Sequence, residues 1–272
     1  MKPAATVEAG GVALAYDDSG SPGPPVVLVH GTATARTVWR ETIEALAAAG
    51  GQPAAPRVIA YDRRAYGDSG APEPYGGTTV GEQADDLAEL IEGVDAAPAT
   101  VCGHELGALA CLDLAARRPE LVRRAVLIEP PILWLVAAGT DAVGDLREAV
   151  ASAARDSGAA GAVRAYLEEV GGAEVGALLG PERLEAAQAS PRAFAADLAA
   201  AASWTGGRKE LKALEPPVRV LSGARSSAVR REAAEALAGM IPDARLVAVD
   251  SGHFPHLEQP SKVAATIRDG GV

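Results

Sequence analysis

Short apolar runs alternate with helical segments along most of this chain, and that alternation limits the folds it can adopt. The runs predict buried strands over residues 26–29, 57–61, 99–102, 125–128, 218–221 and 245–249. Strands that are apolar throughout are typical of parallel sheets covered on both faces. Helices between successive strands serve as the crossovers of such a sheet. We therefore expect an α/β fold with a mostly parallel, twisted sheet flanked by helices. A β-hairpin around Gly10 and Gly11 is expected to precede it.

The alternation stops between Pro130 and about Leu214, where the sequence is rich in Ala and Gly and helical in pattern. An insertion after the strand ending at Ile128 would hang over the carboxyl edge of the sheet, where ligands bind in open α/β folds. We predict a core of residues 1–131 and 215–272 and a helical lid of residues 132–214.

Charge and cysteine content limit the class of partner. The net charge of −11 argues against nucleic acid and anionic membranes. No apolar run approaches the ~18 residues of a membrane span, and the first three residues lack an apolar signal region. Cys102 and Cys111 lie in apolar surroundings, as is typical of free thiols in a reducing compartment. We expect a cytoplasmic protein that acts on a small molecule. No cofactor or metal motif is present, so the expected chemistry needs neither, and the oligomeric state is left open.

Glu105 occupies the tightest turn that the sequence predicts. Gly103 and Gly107 flank it, between the strand ending at Cys102 and a helix expected over residues 106–117. Glycines there let a strand turn sharply into a helix without a Cβ clash. That is the geometry of a nucleophile elbow, which exposes one side chain at the top of a parallel sheet. Serine is the usual residue at its centre, and this chain has glutamate.

Four motifs follow one another in the chain, each at the end of a predicted strand. They are Val29-His30-Gly31, residues 61–70 (YDRRAYGDSG), Gly103-His104-Glu105-Leu106-Gly107 and residues 251–260 (SGHFPHLEQP). Together they resemble the α/β-hydrolase superfamily over nearly the whole chain. The likeness is to lidded single-domain members, which include esterases, epoxide hydrolases, haloalkane dehalogenases and C–C bond hydrolases. The resemblance implies an enzyme with a triad at the carboxyl edge of the sheet.

By this resemblance, His253 matches the triad histidine, against the alternative of a core or surface histidine. The backbone N–H groups of Thr32 and Leu106 match the two donors of an oxyanion hole. The second donor lies at a helix N-terminus, where partial positive charge gathers. His256 is assigned a structural role.

The triad acid departs from the commonest family pattern. That pattern places it after the strand over residues 218–221, where this chain has no carboxylate. In part of the family the acid instead follows the strand after the elbow helix, and Glu129 stands there. A glutamate ending an apolar strand is costly to bury unless it is paired. We predict that Glu129 orients His253, with a salt bridge to Arg63 or Arg64 as the structural alternative.

A glutamate at the elbow disfavours ordinary esterase chemistry, because its attack on an ester would give an anhydride and expel an alkoxide. In the favoured hypothesis Glu105 attacks a saturated electrophilic carbon, as aspartate does in epoxide hydrolases and dehalogenases, and a water activated by His253 hydrolyses the alkyl ester. Dehalogenases typically have an indole donor where this chain has Leu106. Epoxide hydrolases usually have paired lid tyrosines, whereas this lid offers Tyr166 alone.

Three alternatives stay open. Glu105 could be a general acid or base in elimination, isomerisation or intramolecular epoxide opening. The pocket could bind a small molecule without catalysis. Residue 105 could also be a deliberate laboratory substitution, although alanine is the usual choice for inactivation.

The few aromatic residues, 4% of the chain, lie mostly in or near the predicted lid. Trp134, Tyr166 and Trp204, with His30 and His104 from the motifs, are the predicted substrate-binding side chains for a small, largely apolar molecule. Simple packing of lid against core is the alternative.

The three predicted catalytic side chains have an expected geometry. Glu105 should lie within hydrogen-bond reach of His253, directly or through a water, and Glu129 should contact the other ring nitrogen. If Glu105 instead points into the sheet or pairs with an arginine, both catalytic hypotheses fail together.

Overall fold

Eight strands form one sheet within residues 5–48, 55–204 and 206–268, the part of the chain that this computed structural model describes. They are Ala5–Ala9 (β1), Val12–Asp18 (β2), Pro25–Val29 (β3), Arg57–Tyr61 (β4), Ala99–His104 (β5), Val122–Ile128 (β6), Val218–Gly223 (β7) and Ala244–Val249 (β8). Their spatial order is β1-β2-β4-β3-β5-β6-β7-β8. The strands from β3 to β8 are mutually parallel, while β2 is antiparallel to both β1 and β4. The expected mostly parallel sheet is confirmed.

Ten helices surround this sheet in the described residues. They are Arg40–Ala48 (α1), Val80–Gly93 (α2), Leu106–Arg117 (α3), Gly139–Gly171 (α4), Val175–Ala189 (α5), Pro191–Ser203 (α6), Arg208–Lys212 (α7), Ala228–Met240 (α8), Pro255–Glu258 (α9) and Pro260–Arg268 (α10). Short 3-10 turns cover Arg36–Trp39, Pro119–Leu121 and Leu133–Leu135. Non-helical φ values of 70° at Gly158 and 75° at Gly180 interrupt α4 and α5. None of the helices in this described part is both long and apolar enough to cross a membrane.

The hairpin predicted at the start of the chain is present. Gly10 and Gly11 join β1 to β2 with φ values of 54° and 75°, a left-handed backbone that glycine adopts without strain. The first three residues, which carry no apolar signal region in the sequence, lie outside the described residues.

The sheet is buried on both faces, and β3 shows how the apolar run produces this. Successive side chains of a strand point to opposite faces. Val27 and Val29 therefore belong to the apolar cluster that includes residues of α2, α3 and α8, while Val26 and Leu28 belong to the cluster that includes residues of α1 and α10. Each face holds its own apolar cluster, so both layers of helices are needed to cover the strand.

Helices α4 to α7 lie between β6 and β7 in the chain and form a helical insertion. It follows the carboxyl end of β6, as the broken alternation predicts. Tyr166 of α4 packs edge-on against Phe194 of α6, with ring centroids 5.3 Å apart. Both side chains belong to the same buried cluster as Ile128 and Leu221 of the sheet. The insertion is therefore packed onto the core over the edge where β5 and β6 end.

Candidate active site

The turn from β5 into α3 is held by the close approach of backbone segments. A Cβ on Gly103 would lie 2.2 Å from the carbonyl oxygen of Gly107, and a Cβ on Gly107 would lie 2.4 Å from that of Val29. Neither position has room for a side chain. Glu105 itself takes φ 51° and ψ −122°, an uncommon backbone for a residue with a Cβ that costs roughly 1–3 kcal/mol. The two glycines and this unusual backbone together present Glu105 at the sheet edge.

The segment that follows β3 runs directly beside this turn. A Cβ on Gly31 would lie 2.6 Å from Nδ1 of His104 and 2.9 Å from Cβ of Glu105. This contact brings Thr32 to the cavity that Glu105 also lines. Leu106 is the first residue of α3, so its N–H has no acceptor within that helix. Both residues predicted to form the oxyanion hole are thus next to Glu105 in sequence or in space.

His253 lies between two glutamates. Its Nε2 is 3.1 Å from Oε1 of Glu105, and its Nδ1 is 3.3 Å from Oε2 of Glu129. The first contact lacks the alignment of a hydrogen bond, and Nε2 has no hydrogen-bond partner among the described residues. All three residues are buried, with 2–3% of their surface exposed. The structure therefore brings the three predicted catalytic side chains together, with one glutamate on each ring nitrogen.

Glu129 is held by the loop after β7, where the commonest family pattern would place the acid. Its Oε1 accepts hydrogen bonds from the backbone N–H of Gly223 at 2.7 Å and from the hydroxyls of Ser226 at 2.9 Å and Ser222 at 3.3 Å. Burial raises the pKa of Glu129, but His253, Arg230 and the Gly223 N–H lower it, and the net shift is downward. Glu129 is therefore ionised and oriented with one oxygen toward His253.

The salt bridge proposed as the structural alternative for Glu129 does not form. Arg63 binds Asp197, with Nη1 3.0 Å from Oδ1. Arg64 binds Asp86, with Nε 2.6 Å from Oδ2.

Arg230 of α8 is the charged neighbour of Glu105 that the sequence did not reveal. Its Nη1 lies 2.7 Å from Oε1 of Glu105, and 9% of its side chain is exposed. Burial alone would raise the pKa of Glu105, but Arg230, with His253 and His104, lowers it to about 2. The one weak sequence signal is the position of Arg230 shortly after the loop that follows β7.

Contact with His253 and pairing with an arginine, which were expected to exclude each other, occur together at Glu105. Glu105 reaches His253, and it also binds an arginine through the same oxygen, Oε1. Among the described residues no hydrogen bond involves its other oxygen, Oε2. The carboxylate is consequently a permanent anion at neutral pH with one oxygen left for a ligand.

A cavity that is partly open to solvent lies over Glu105. Its lining residues are Thr32, Glu105, Pro131, Leu133, Val143, Leu146, Arg147, Tyr166, Leu198, Ala201, Ala202 and Arg230. Most of the wall is apolar and comes from the helical insertion. Burial raises the pKa of Tyr166 well above its usual value, so its hydroxyl keeps its proton.

His30 and His104, predicted to bind substrate, are instead engaged in the protein interior. The Nδ1 of His30 lies 2.9 Å from the carbonyl oxygen of Gly31, and its Nε2 accepts a 2.9 Å hydrogen bond from the backbone N–H of Arg63. The Nε2 of His104 is 3.0 Å from the carbonyl oxygen of His253. Burial lowers the pKa of His104 to about 3, so this ring is neutral. Neither histidine lines the cavity, and both hold the backbone around it.

Two of the three predicted substrate-binding aromatics also lie elsewhere. Trp134 is 40% exposed and packs beneath the guanidinium of Arg208. The indole N–H of Trp204 donates to Asp113 at 3.1 Å. Tyr166 does line the cavity, and its role in substrate binding stays a prediction. Chain position placed these aromatics in the insertion, but it could not show which side of each helix faces inward.

Comparisons with known proteins place the chain in a family. The sequence profile of the α/β hydrolase fold matches residues 24–260. A pimeloyl-[acyl-carrier protein] methyl ester esterase from Aromatoleum aromaticum is 32% identical over 268 residues, which cover 90% of this chain and 97% of that protein. A solved structure of a thermophilic esterase from Thermogutta terrifontis has a TM-score of 0.77 at 27% identity, covering 97% of this chain and 96% of that one.

Two further relatives match over shorter segments. A protein named as a non-heme bromoperoxidase, BpoC, from Mycobacterium tuberculosis is 40% identical over 116 residues, 42% of this chain and 41% of the relative. Epoxide hydrolase A from the same organism is 34% identical over 128 residues, 47% of this chain and 38% of that enzyme. The chain thus spans about two fifths of the length of these relatives.

Proposed function

The chain belongs to the α/β-hydrolase fold family, and within it we propose that Glu105 is a carboxylate nucleophile in the hydrolysis of a small, largely apolar epoxide. His253, oriented by Glu129, activates the water that cleaves the resulting ester. The named relatives include esterases and an epoxide hydrolase, which supports hydrolase chemistry in general. The specific role of Glu105 rests on the geometry of the site.

The observation that carries the proposal is the contact of Glu105 with Arg230 and His253, which holds its carboxyl group as an anion. With its pKa lowered to about 2, the carboxylate is ionised, as a nucleophile must be. The same ionisation leaves it no proton to give and makes it a weak base, which disfavours the acid/base alternative. Arg230 and His253 contact Oε1, so Oε2 is the attacking atom in this mechanism.

The reaction then runs in two steps. Oε2 attacks an epoxide carbon, the ring C–O bond breaks, and its electron pair goes to the epoxide oxygen, which takes the proton of Tyr166. In the second step Nε2 of His253 removes a proton from water, and the water oxygen attacks the carboxyl carbon of the ester. The oxyanion forms on Oε1, which Arg230 contacts at 2.7 Å, and the N–H groups of Thr32 and Leu106 are the further donors assigned to it. The intermediate collapses with cleavage of the ester C–O bond, and the leaving alkoxide takes the proton of the His253 imidazolium to give the diol. The remaining proton of the Glu105 carboxyl group passes to the Tyr166 phenolate, so both side chains return to their starting states.

Residues 132–214 act as a lid in this proposal. They supply Leu133, Leu146 and Leu198 to the cavity wall, together with the proton donor Tyr166. An apolar wall over a charged floor excludes water from the first step and suits an apolar substrate.

Binding without catalysis is the second candidate, and the Arg230 ion pair is the observation that favours it. A guanidinium on Oε1 withdraws charge from the carboxylate and so lowers its nucleophilicity. In that case the same cavity would hold a ligand without transforming it.

Heavy-oxygen labelling separates these possibilities. Excess protein would be mixed with styrene oxide and related aryl and alkyl epoxides in H₂¹⁸O for a single turnover. We expect unlabelled diol and one heavy oxygen in the peptide that contains Glu105, read by mass spectrometry. Product without label in Glu105 would exclude the covalent route, and binding of these epoxides without turnover would support the second candidate. The Glu129→Gln variant should accumulate the alkyl ester, because attack is retained while water activation is lost.

A further inference from the structure

Asp197, on α6 of the helical insertion, is a buried anion that reaches into the core. It binds Arg63 through two parallel hydrogen bonds, Nη1 to Oδ1 at 3.0 Å and Nη2 to Oδ2 at 2.5 Å. The hydroxyl of Tyr66 also donates to Oδ2, at 2.9 Å. Asp197, Arg63 and Tyr66 are each no more than 1% exposed. Bidentate charge-assisted pairs of this kind fix geometry as well as charge.

The same two core residues also hold the backbone on both sides of Thr32. Arg63 donates from Nε to the carbonyl of His30 at 2.9 Å and from Nη2 to the carbonyl of Gly31 at 3.1 Å. The hydroxyl of Tyr66 accepts from the N–H of Ala33 at 3.3 Å. The two peptide carbonyls before Thr32 and the N–H after it are therefore all bound by residues that Asp197 holds.

We propose that Asp197 is a positioning residue that lets the insertion set the oxyanion side of the active site. It acts through Arg63 and Tyr66, which hold residues 30–33 so that the N–H of Thr32 points into the cavity. When α6 packs on the core, Asp197 keeps the N–H of Thr32 in position to donate to the oxyanion. When Asp197 is lost, Arg63 is left as a buried cation without its partner, which is strongly unfavourable, and the segment it braces rearranges. The proposal rests on the proposed function only in assigning the Thr32 N–H to the oxyanion.

The neighbouring residue supplies a matched control. Arg64 makes an equally buried bidentate pair with Asp86, with both distances 2.6 Å. Its ion pairs go to Asp86 and Glu82 in α2, away from the insertion. A role limited to stability would let either substitution weaken the fold without loosening residues 30–33 in particular, whereas a positioning role loosens them in Asp197→Asn and not in Asp86→Asn.

Amide hydrogen exchange measures the effect without any substrate. In Asp197→Asn we expect the peptide spanning residues 28–36 to exchange about tenfold faster or more, with β5 unchanged. In Asp86→Asn that peptide should exchange as in the wild type. The double variant Arg63→Met/Asp197→Leu removes the buried charge and so guards against a failure to fold. Wild-type protection of residues 30–33 in this double variant would overturn the proposal.

The rate of ester hydrolysis tests whether Asp197 affects stabilisation of the oxyanion. Glu105→Ser combined with Arg230→Met leaves no unpaired cation beside the new serine and should hydrolyse 4-nitrophenyl acetate slowly. Adding Asp197→Asn should lower kcat by about 10- to 100-fold with little change in KM, because removing one oxyanion donor costs up to about 10³-fold. Adding Asp86→Asn should not. If the serine background shows no esterase activity, the oxyanion assignment in the proposed function fails, while hydrogen exchange still decides the role of Asp197. Equal kcat losses from the two additions would overturn the positioning role.

Discussion

Glu105 and Glu129 occupy equivalent places on neighbouring strands and differ in what holds them. Each follows the end of its strand with a left-handed φ, 51° and 49°, and each is 3% exposed. Each contacts one ring nitrogen of His253. The neutral donors of Gly223, Ser222 and Ser226 hold Glu129, whereas the cation of Arg230 holds Glu105. Neutral donors fix an orientation, while a cation also fixes a charge, so two similar carboxylates are suited to different tasks.

The largest expected effect comes from removing the charge of Glu105. Glu105→Gln keeps the side-chain shape but cannot attack carbon, so turnover should fall on the order of 10⁴–10⁶-fold. Ligand affinity, measured by calorimetry, should change far less. Glu105→Asp is the control that keeps the charge and shortens the reach, and it should retain partial activity. A Gln variant with near wild-type turnover would remove Glu105 from the chemistry.

Removing the charge of Glu129 should have the next largest effect. Glu129→Gln keeps hydrogen bonds to the loop after β7 but no longer favours the His253 tautomer that takes a proton at Nε2. Turnover should fall by about 10²–10⁴-fold, with the covalent ester accumulating in the protein mass spectrum. Glu232→Gln, at an exposed position on α8, is the matched control and should be silent. Full activity in Glu129→Gln would return Glu129 to a structural role.

Replacing Arg230 should raise the pH at which Glu105 takes up a proton. In Arg230→Met the burial that raises the pKa of Glu105 is no longer opposed by a guanidinium, so the pKa rises from about 2. The acid limb of the activity profile should then move to higher pH, while Arg230→Lys should largely preserve it.

The free energy of unfolding should also depend on the ionisation of Glu105. A carboxyl group whose pKa falls on folding, here from the usual 4.5 to about 2, stabilises the native state above the higher value and loses that contribution as pH drops toward the lower one. The free energy of unfolding of the wild type, measured in urea, should fall as the pH drops across this interval. In Arg230→Met this part of the fall should be absent. Superimposable profiles for wild type and Arg230→Met would refute the assigned cause.

The smallest effects should come from the serines that hold Glu129. Ser226→Ala removes a 2.9 Å hydrogen bond and Ser222→Ala a 3.3 Å one. The first should cost about 1 kcal/mol of transition-state stabilisation, roughly fivefold in kcat/KM, and the second less. Steady-state kinetics on both variants would test this order, and a reversed order would contradict the distances.

The meeting of Glu129 and His253 was implied by the resemblance to the α/β hydrolases. It agrees with the rule that strand ends in a parallel sheet share one edge. Arg230 could not be found in that way. Arg230 and Arg231 stand side by side near the start of α8, 125 residues from Glu105. Which of them faces the cavity depends on the rotation of the helix about its axis, and packing against the sheet sets that rotation. Arg231 instead donates to the carbonyl of Ser226.

The pairing of Arg230 with Glu105 has a consequence for chimeric proteins. Either residue alone would be a buried charge without a counter-charge, which costs several kcal/mol. A crossover with a serine-bearing relative, placed anywhere between positions 105 and 230, would therefore deliver half of the pair and a poorly folded product. Crossovers outside this interval would transfer both positions together. In recombination experiments, positions 105 and 230 therefore have to be exchanged together.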